Sequence, residues 1–450
     1  MILRSTRDRS GDPRGTVPFA AALTRNLAPD GGLYVPVALQ PFPDVDDLLA
    51  LPWLERSIEI VGRLLGDEYD RGDLAAVARD AFDFPIPLVP IGDGPIAALE
   101  LFHGPSLAFK DFGARFLARM LRLTRERSGE RGPLTILTAT SGDTGAAVAR
   151  AFWHLPGIRA VVLYPRGRVS PLQEKQFASL GDNVLALAVA GSFDDCQALA
   201  KACFADRELS AELGLTSANS INIARLLAQT LYYFEAVAAL RTAGATEPPN
   251  PPVIAVPSGN FGNLCAGLYA RRLGLPVGAF VAATNANTTV PEYLDSGVYR
   301  PRPSLATLSN AMDVGAPSNW ERIADLHQGD WQALRHALRW GSLDDAGTRQ
   351  AIRDLAAQGY LADPHGAVAW SVLRDHLEPG ETGLFLATAH PAKFKEALEP
   401  VLGVLGHALP LPPALLEVAD RPLLAEEVAV DVEEVKRRLL EGTTPREDDR

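Results

Sequence analysis

The chain has 450 residues, with 43 Lys plus Arg against 55 Asp plus Glu, so its formal net charge is −12; 47% of its residues are hydrophobic and 22% are charged. A chain of this length divides into about two or three domains of ~100–200 residues each, enough for a large buried core. The acidic balance argues against general nucleic-acid binding, which needs a basic face to displace counterions, and against docking on anionic membranes.

The first ~95 residues carry turn signals at Pro29-Asp30-Gly31-Gly32 and Asp93-Gly94-Pro95, with a helical pattern from about Val45 to Leu65 between them. They read as a small N-terminal domain. From about residue 100 the pattern changes. Asp111 to Arg127 places Phe112, Phe116, Leu117, Met120 and Leu121 at helical spacing. Short apolar runs follow at Leu134–Thr138, Ala160–Tyr164, Val184–Val189, Val253–Val256, Ala279–Ala282 and Gly383–Thr388, with helical stretches among them. Strands alternating with helices of this length predict βαβ units and a largely parallel sheet, an α/β fold.

Pro248 to Pro252 reads as a stiff linker, residues 290–345 as a loop-rich insertion with short helices, and Asp431 onward as a helix with Val432, Val435 and Leu439 on one face, ending in a frayed Gly442–Arg450. No run reaches the ~18 apolar residues needed to span a bilayer. The N-terminus lacks the apolar stretch of a signal peptide. Three cysteines, Cys196, Cys203 and Cys265, do not suit a disulfide framework. No Cys/His cluster has zinc spacing, so no metal is expected. The expected compartment is the cytoplasm.

Four strings carry chemistry. In His103-Gly-Pro-Ser-Leu-Ala-Phe-Lys-Asp-Phe-Gly113, Lys110 sits between two phenylalanines at a helix start. Apolar neighbours and the helix dipole both disfavour an ammonium there, and a lysine so placed can attack a carbonyl to form a Schiff base. Taken alone it reads as an ordinary surface lysine. Thr140-Ser-Gly-Asp-Thr-Gly145 follows a strand and opens a helix. Hydroxyls and free N–H groups at such a turn bind carboxylate or phosphate. Pro257-Ser-Gly-Asn-Phe-Gly-Asn263 repeats the plan, with Gly259 and Gly262 allowing close approach of an anion. It is neither a Walker A loop nor a dinucleotide fingerprint, which points to a small phosphorylated cofactor. Leu386-Ala-Thr-Ala-His-Pro-Ala-Lys393 brings the Thr388 hydroxyl to the same sheet edge, with His390 reading as a helix cap.

Positive charge for an anionic substrate could come from Arg166 and Arg168, after the Ala160–Tyr164 run, or from Arg225, which opens a helix together with Asn222. Asp363-Pro-His-Gly366 is a helix start whose His365 could face site or solvent. A Schiff-base lysine, two anion loops and a hydroxyl at the carboxyl ends of parallel strands are together the parts needed to hold pyridoxal phosphate.

The strings Leu107-Ala-Phe-Lys-Asp-Phe112, Ser141-Gly-Asp-Thr-Gly145, Ser170-Pro-Leu-Gln-Glu-Lys-Gln176, Gly259-Asn-Phe-Gly-Asn263 and Thr388-Ala-His-Pro-Ala-Lys-Phe394 resemble the threonine synthases of the longer microbial and fungal type, nearly end to end. The resemblance implies the two-lobed, fold type II architecture of pyridoxal-phosphate enzymes, with a small N-terminal domain. The expected organisation is residues 1–95 as that domain, 96–405 as the cofactor-binding region and 406–450 as a tail. Lys110 matches the lysine that holds the cofactor covalently. Gly259, Asn260, Phe261 and Asn263 match its phosphate loop, and Thr388 the residue at the pyridine nitrogen. Ser141, Asp143 and Thr144 match the loop that receives the substrate carboxylate in related enzymes. Asp143 stands where many relatives have Asn, and Ser106 where Thr is expected.

The implied reaction converts O-phosphohomoserine and water to threonine and phosphate, the last step of threonine biosynthesis. A lyase releasing a 2-oxo acid is the nearest alternative, and a non-catalytic binding relative a more distant one. Monomer and homodimer both remain open.

Overall fold

The computed structural model describes residues 1–8, 12–242, 250–403 and 409–441. Pro248 and Pro249 of the expected linker, the expected boundary at 405/406 and the expected frayed end at 442–450 lie outside these residues.

Two sheets form the α/β frame. One has six strands in the order Leu338–Ser342, Ala279–Thr284, Val253–Pro257, Gly383–Ala387, Ile96–Glu100, Leu88–Pro90. Its pairings are parallel except for the last strand, which is antiparallel. The other has five parallel strands, ordered Glu426–Val428, Val184–Val189, Ile158–Pro165, Leu134–Ala139, Leu215–Thr216. Parallel strands need both faces covered, so these read as continuous apolar runs. Val253–Pro257 and Gly383–Ala387 are buried at every position.

A third, antiparallel sheet of Val17–Pro18, Ile2–Ser5 and Tyr34–Pro36 lies at the N-terminus. It is not separately cored. Leu3, Phe19 and Tyr34 belong to the same apolar cluster as Phe112, Phe116 and Tyr232.

Local sequence explains most of the elements. Lys110–Ser128 is a helix ended by Gly129 in the left-handed region, and it buries Phe112, Phe116, Leu117, Met120 and Leu121 as their spacing predicts. Ser192 and Asp195 form a capping box that opens the helix Phe193–Ala205. This helix buries Cys196 and Cys203, and all three cysteines are free thiols.

The structure differs from the sequence expectation in three places. Val45 to Leu65 is two helices, Val45–Ala50 and Trp53–Leu65. Pro52 disfavours helical backbone at the residue before it, and Leu51 is extended with ψ 149°. The 290–345 insertion contributes an edge strand, Leu338–Ser342, besides its short helices. The tail also contributes Glu426–Val428 to the five-stranded sheet, and its helix Val432–Glu441 buries Val435 and Leu439 against that lobe. Among the described residues no helix is long and apolar enough to cross a membrane.

Candidate active site

The topology gathers the chemistry-bearing loops. Thr140–Gly145 follows Leu134–Ala139, Ser258–Asn263 follows Val253–Pro257, and Thr388 follows Gly383–Ala387. All three leave carboxyl ends of parallel strands, where open α/β sheets bind ligands.

The segment leading into Lys110 is joined to the one containing Thr388. Phe109 N donates to Thr388 O at 2.8 Å and His390 N to Leu107 O at 3.0 Å, so residues 107–109 run antiparallel to 388–390. Leu107 reaches this position in the left-handed region, φ 57°. Lys110 opens its helix with a side chain only 13% exposed, and its Nζ lies 3.5 Å from Asp143 Oδ2. Burial pushes the Lys110 amine down from its ordinary value; Asp143 opposes this, while Lys393 and Arg225 push the same way.

Asp143 is buried at the start of the helix Asp143–Phe152. Its Oδ1 accepts from Lys393 Nζ at 2.7 Å and Gln173 Nε2 at 2.9 Å. Burial alone would raise this carboxyl, but the Lys393 and Lys110 ammoniums hold it well below the usual carboxylate range. The turn ahead of it is shaped by Thr140 Oγ1, which accepts from Gly142 N at 3.0 Å and Gly145 N at 2.8 Å. Ser141 and Thr144 are half-buried beside it.

The Gly259–Asn263 loop is held from three sides. Gly259 is packed so closely that a Cβ would stand 2.7 Å from Met312 Cα and 2.8 Å from Ala311 O. Asn260 Nδ2 donates to Ser220 Oγ at 2.7 Å, and Asn260 Oδ1 accepts from Ser318 N at 2.6 Å. Phe261 takes the left-handed region, φ 59°, ahead of the helix Gly262–Arg272 and packs edge-on against Trp320. Asn263 Oδ1 accepts from both Tyr232 OH at 2.5 Å and Tyr233 OH at 2.7 Å, leaving its buried Nδ2 without a partner.

The three candidate arginines separate by burial. Arg225 is 2% exposed, donates from Nη1 to Ala218 O at 2.5 Å, and has no partner at Nε. Burial pushes it down to about 10. Its side chain packs against Gly113, one turn along from Lys110, where a Cβ would come within 3.1 Å of Arg225 Cβ. Arg166 is exposed and paired with Glu427 on the outer strand of the five-stranded sheet, and Arg168 is exposed as well. Asn222 is engaged in the frame: its Nδ2 donates to Leu23 O at 2.9 Å, and its Oδ1 accepts from Ala224 N at 3.0 Å.

His390 caps the short helix Pro391–Phe394, accepting from Ala392 N, and burial followed by His103 pushes it down to about 4. His365 lies buried between Asp363 at Nδ1 and Ala311 N, which donates to its Nε2 at 3.1 Å.

Known proteins share this arrangement over nearly the whole chain. Residues 87–389 match the family described as pyridoxal-phosphate dependent enzyme, residues 3–82 the threonine synthase N terminus, and residues 366–438 the threonine synthase C-terminal region. The chain is 50% identical over 431 residues to the threonine synthase of Escherichia coli, covering 95% of this chain and 98% of that protein. The crystal structure of threonine synthase from Escherichia coli superposes with a TM-score of 0.91 at 48% identity, covering 98% of this chain and 100% of that one. A structure of pyridoxal-phosphate-bound threonine synthase from Brucella melitensis gives 0.90 at 34% identity, covering 99% and 100%.

The chain belongs to the threonine synthase family.

Threonine synthases of this kind are pyridoxal-phosphate enzymes, and the residues present suit that group. The first N–H groups of the helix Gly262–Arg272 have no intrahelical partners, as at any helix start. Beside them lies the unpartnered Asn263 Nδ2, and Lys110 opens its helix next to the segment that follows the adjacent strand Gly383–Ala387. Among the described residues no group of His, Cys, Asp and Glu could hold a metal.

Several residues that build this site escaped the sequence reading. Lys393 was within sight in the last string, as a charged residue in an otherwise apolar helix start. Tyr232 and Tyr233 are hidden within a long apolar helix, Ile223–Thr242. Arg322 is fully buried and donates to Tyr34 O at 3.0 Å, Ser220 O at 3.2 Å, Ile221 O at 2.6 Å and Asn319 Oδ1 at 2.6 Å, bracing the Ser220 contact of Asn260. No local spacing signals it.

Proposed function

We propose that this chain converts O-phosphohomoserine and water to threonine and phosphate, and that it works in the cytoplasm. The full-length likeness to threonine synthases carries the activity. Three unpaired, buried thiols support a reducing compartment.

In this reading Lys110 would hold the cofactor, the Gly259–Asn263 loop would bind its phosphate, and Thr388 would meet its ring nitrogen. Bound pyridoxal phosphate supplies an electron sink that makes the C–H bonds of an attached amino acid acidic. The chain's own residues do the rest. Lys110 Nζ would take the proton from Cα of the bound substrate and later return one. That double duty needs an amine whose proton is shared near neutral pH, and burial lowers the Lys110 amine in that direction. Ser141 and Thr144 present hydroxyls to the substrate carboxylate. Arg225, buried and without a carboxylate partner, meets the substrate phosphate; Arg166 and Arg168, both exposed, are the weaker candidates for this role. A proton also has to leave Cβ as phosphate departs from Cγ with the bonding pair; Cγ then takes up a proton, and water adds its hydroxyl at Cβ.

The test is product analysis. Purified protein given O-phosphohomoserine should release phosphate and threonine in equal amounts, and Lys110→Ala should abolish both together with the borohydride-reducible cofactor adduct. Release of a 2-oxo acid in place of threonine would overturn the proposal.

A further inference from the structure

The proposed substrate loop contains an electrostatic contradiction. A loop that receives a carboxylate has a carboxylate of its own, Asp143, and like charges at close range repel. Lys110 stands 3.5 Å from the same Asp143. An isolated Asp143–Lys110 pair would hold Lys110 charged, and a charged amine is neither a nucleophile nor a base.

A second lysine resolves both difficulties. Lys393 is 0% exposed, comes from the short helix Pro391–Phe394, and donates to Asp143 Oδ1 and to Ser106 O, each at 2.7 Å. Gln173 Nε2 shares Oδ1 at 2.9 Å. The inner carboxylate oxygen is thus filled by Lys393 and Gln173, while Lys110 faces the other oxygen at longer range. We infer that Lys393 is a positioning residue, the buried counter-ion that takes up the charge of Asp143, so that the 141–144 loop can receive a carboxylate and Lys110 is not locked into an ion pair. The part that concerns substrate rests on the threonine synthase reading; the part that concerns Lys110 does not.

The charged groups facing this cluster are few. Arg225, from the helix Ile223–Thr242, faces Lys110. His365, from the helix Pro364–His376, faces Asp143. Asp111 faces Lys393 and Arg115 from the helix Lys110–Ser128. Lys393 also acts on His390, just before it in the chain. None of these touches Asp143 Oδ1, so the neutralising contact belongs to Lys393.

The experiment reads Lys110 directly. The full-length chain freed of cofactor is labelled with acetic anhydride across a pH series, and acetylation of Lys110 is followed by peptide mass spectrometry. Lys393→Met should raise the labelling midpoint of Lys110 by at least ~1 pH unit, because Asp143 is then left to Lys110 alone. Asp143→Asn should lower it, because Lys393 then repels Lys110 unopposed. The double variant D143N/K393M should fall between the two. An unmoved midpoint in K393M overturns the inference. If K393M does not fold, Lys393→Gln takes its place in the same comparison, and an unmoved midpoint there overturns it.

In the cofactor-loaded enzyme, K393M should raise KM for O-phosphohomoserine about tenfold or more, and D143N/K393M should recover most of that loss. A double variant no better than K393M refutes the part that concerns substrate. Absence of threonine formation by the wild-type enzyme would overturn the proposed activity while leaving the labelling result standing.

Discussion

Gly259→Ala tests how the proposed cofactor loop is built. The added methyl would sit 2.7 Å from Met312 Cα and 2.8 Å from Ala311 O, both backbone atoms, so no side-chain rotation relieves the contact. The facing segment is itself fixed. Ala311 N donates to His365 Nε2 at 3.1 Å, Met312 N to Ser309 O at 2.8 Å, and Asn285 Nδ2 to Asp313 Oδ1 at 2.8 Å. One of two anchored backbones must move by several tenths of an ångström. Overpacking of this kind costs about 1–3 kcal/mol. If that cost falls on the binding-competent loop, cofactor affinity drops about 5- to 140-fold. The assay is an absorbance titration of pyridoxal phosphate into the stripped protein, with far-ultraviolet circular dichroism to show that the fold is retained. His365→Ala removes the acceptor for Ala311 N and loosens the facing segment, so the two substitutions should combine to less than the sum of their separate effects. A G259A protein that binds cofactor within about twofold of wild type would refute the packing argument. Strict additivity with H365A would refute the anchoring role of His365.

Other substitutions probe neighbouring groups. Tyr232→Phe and Tyr233→Phe each remove one hydroxyl donor from Asn263 Oδ1, and each should weaken cofactor binding by about 1 kcal/mol in the same titration, with the double variant weaker still. Arg225→Met should raise KM for O-phosphohomoserine at least about tenfold, whereas Arg166→Met, which breaks an exposed pair with Glu427, should leave it within about twofold; the reverse order would reassign the substrate phosphate site. Asp111 has a pH signature. Burial raises its carboxyl from 3.8 to about 6, against the pull of the Ser106 N–H and the Lys393 ammonium. A folded value above the ordinary one gives stability that is complete below about pH 4 and lost as pH rises through about 6, a cost of about 3 kcal/mol to the wild type above neutrality. The stability of Asp111→Asn relative to wild type, from denaturant midpoints, should therefore climb between about pH 4 and 7 and then level off. A pH-independent difference would show that Asp111 is not desolvated as described.

What the sequence made legible follows from range. The 140–145 and 257–263 loops and Thr388 are short strings placed directly after strands, and Lys110 opens a helix, so local patterning singled them out and parallel topology put the three strand-end strings at carboxyl ends of the two sheets. The capping residues Asp363 and His390 were legible for the same reason. Contacts between distant segments were not. Lys393 meets Asp143 from 250 residues away, and Arg322 meets Tyr34 O across 288. The short strand Ile96–Glu100 and the edge strand Leu338–Ser342 gave no clear alternation, since one lies inside its sheet and the other grades from a buried Leu338 through half-buried residues to an exposed Ser342. Spacing treated Arg166, Arg168 and Arg225 alike; only burial separates them. Pro52 was a readable stop signal inside the Val45–Leu65 pattern, and apolar periodicity overrode it.

The net charge of −12 bears on solubility far more than on the site. Around the site lie the buried Lys393, Arg225 and Arg322 and the largely buried Lys110, while Asp143 is the carboxylate that Lys110 and Lys393 share and Asp111 is pushed toward its neutral form. Arg225 and Arg322 donate to carbonyls and an amide oxygen, which satisfy their hydrogen bonds without cancelling their charge. Charges held in this way are screened little by salt, because solvent ions do not reach them. The acidic residues of the described chain instead pair largely at the surface, as Glu427 does with Arg166 and Asp44 with Arg63. A protein that repels polyanions over its exterior can therefore still suit the two phosphates of the proposed reaction, because the attractive charge is local, buried and incompletely paired by carboxylates.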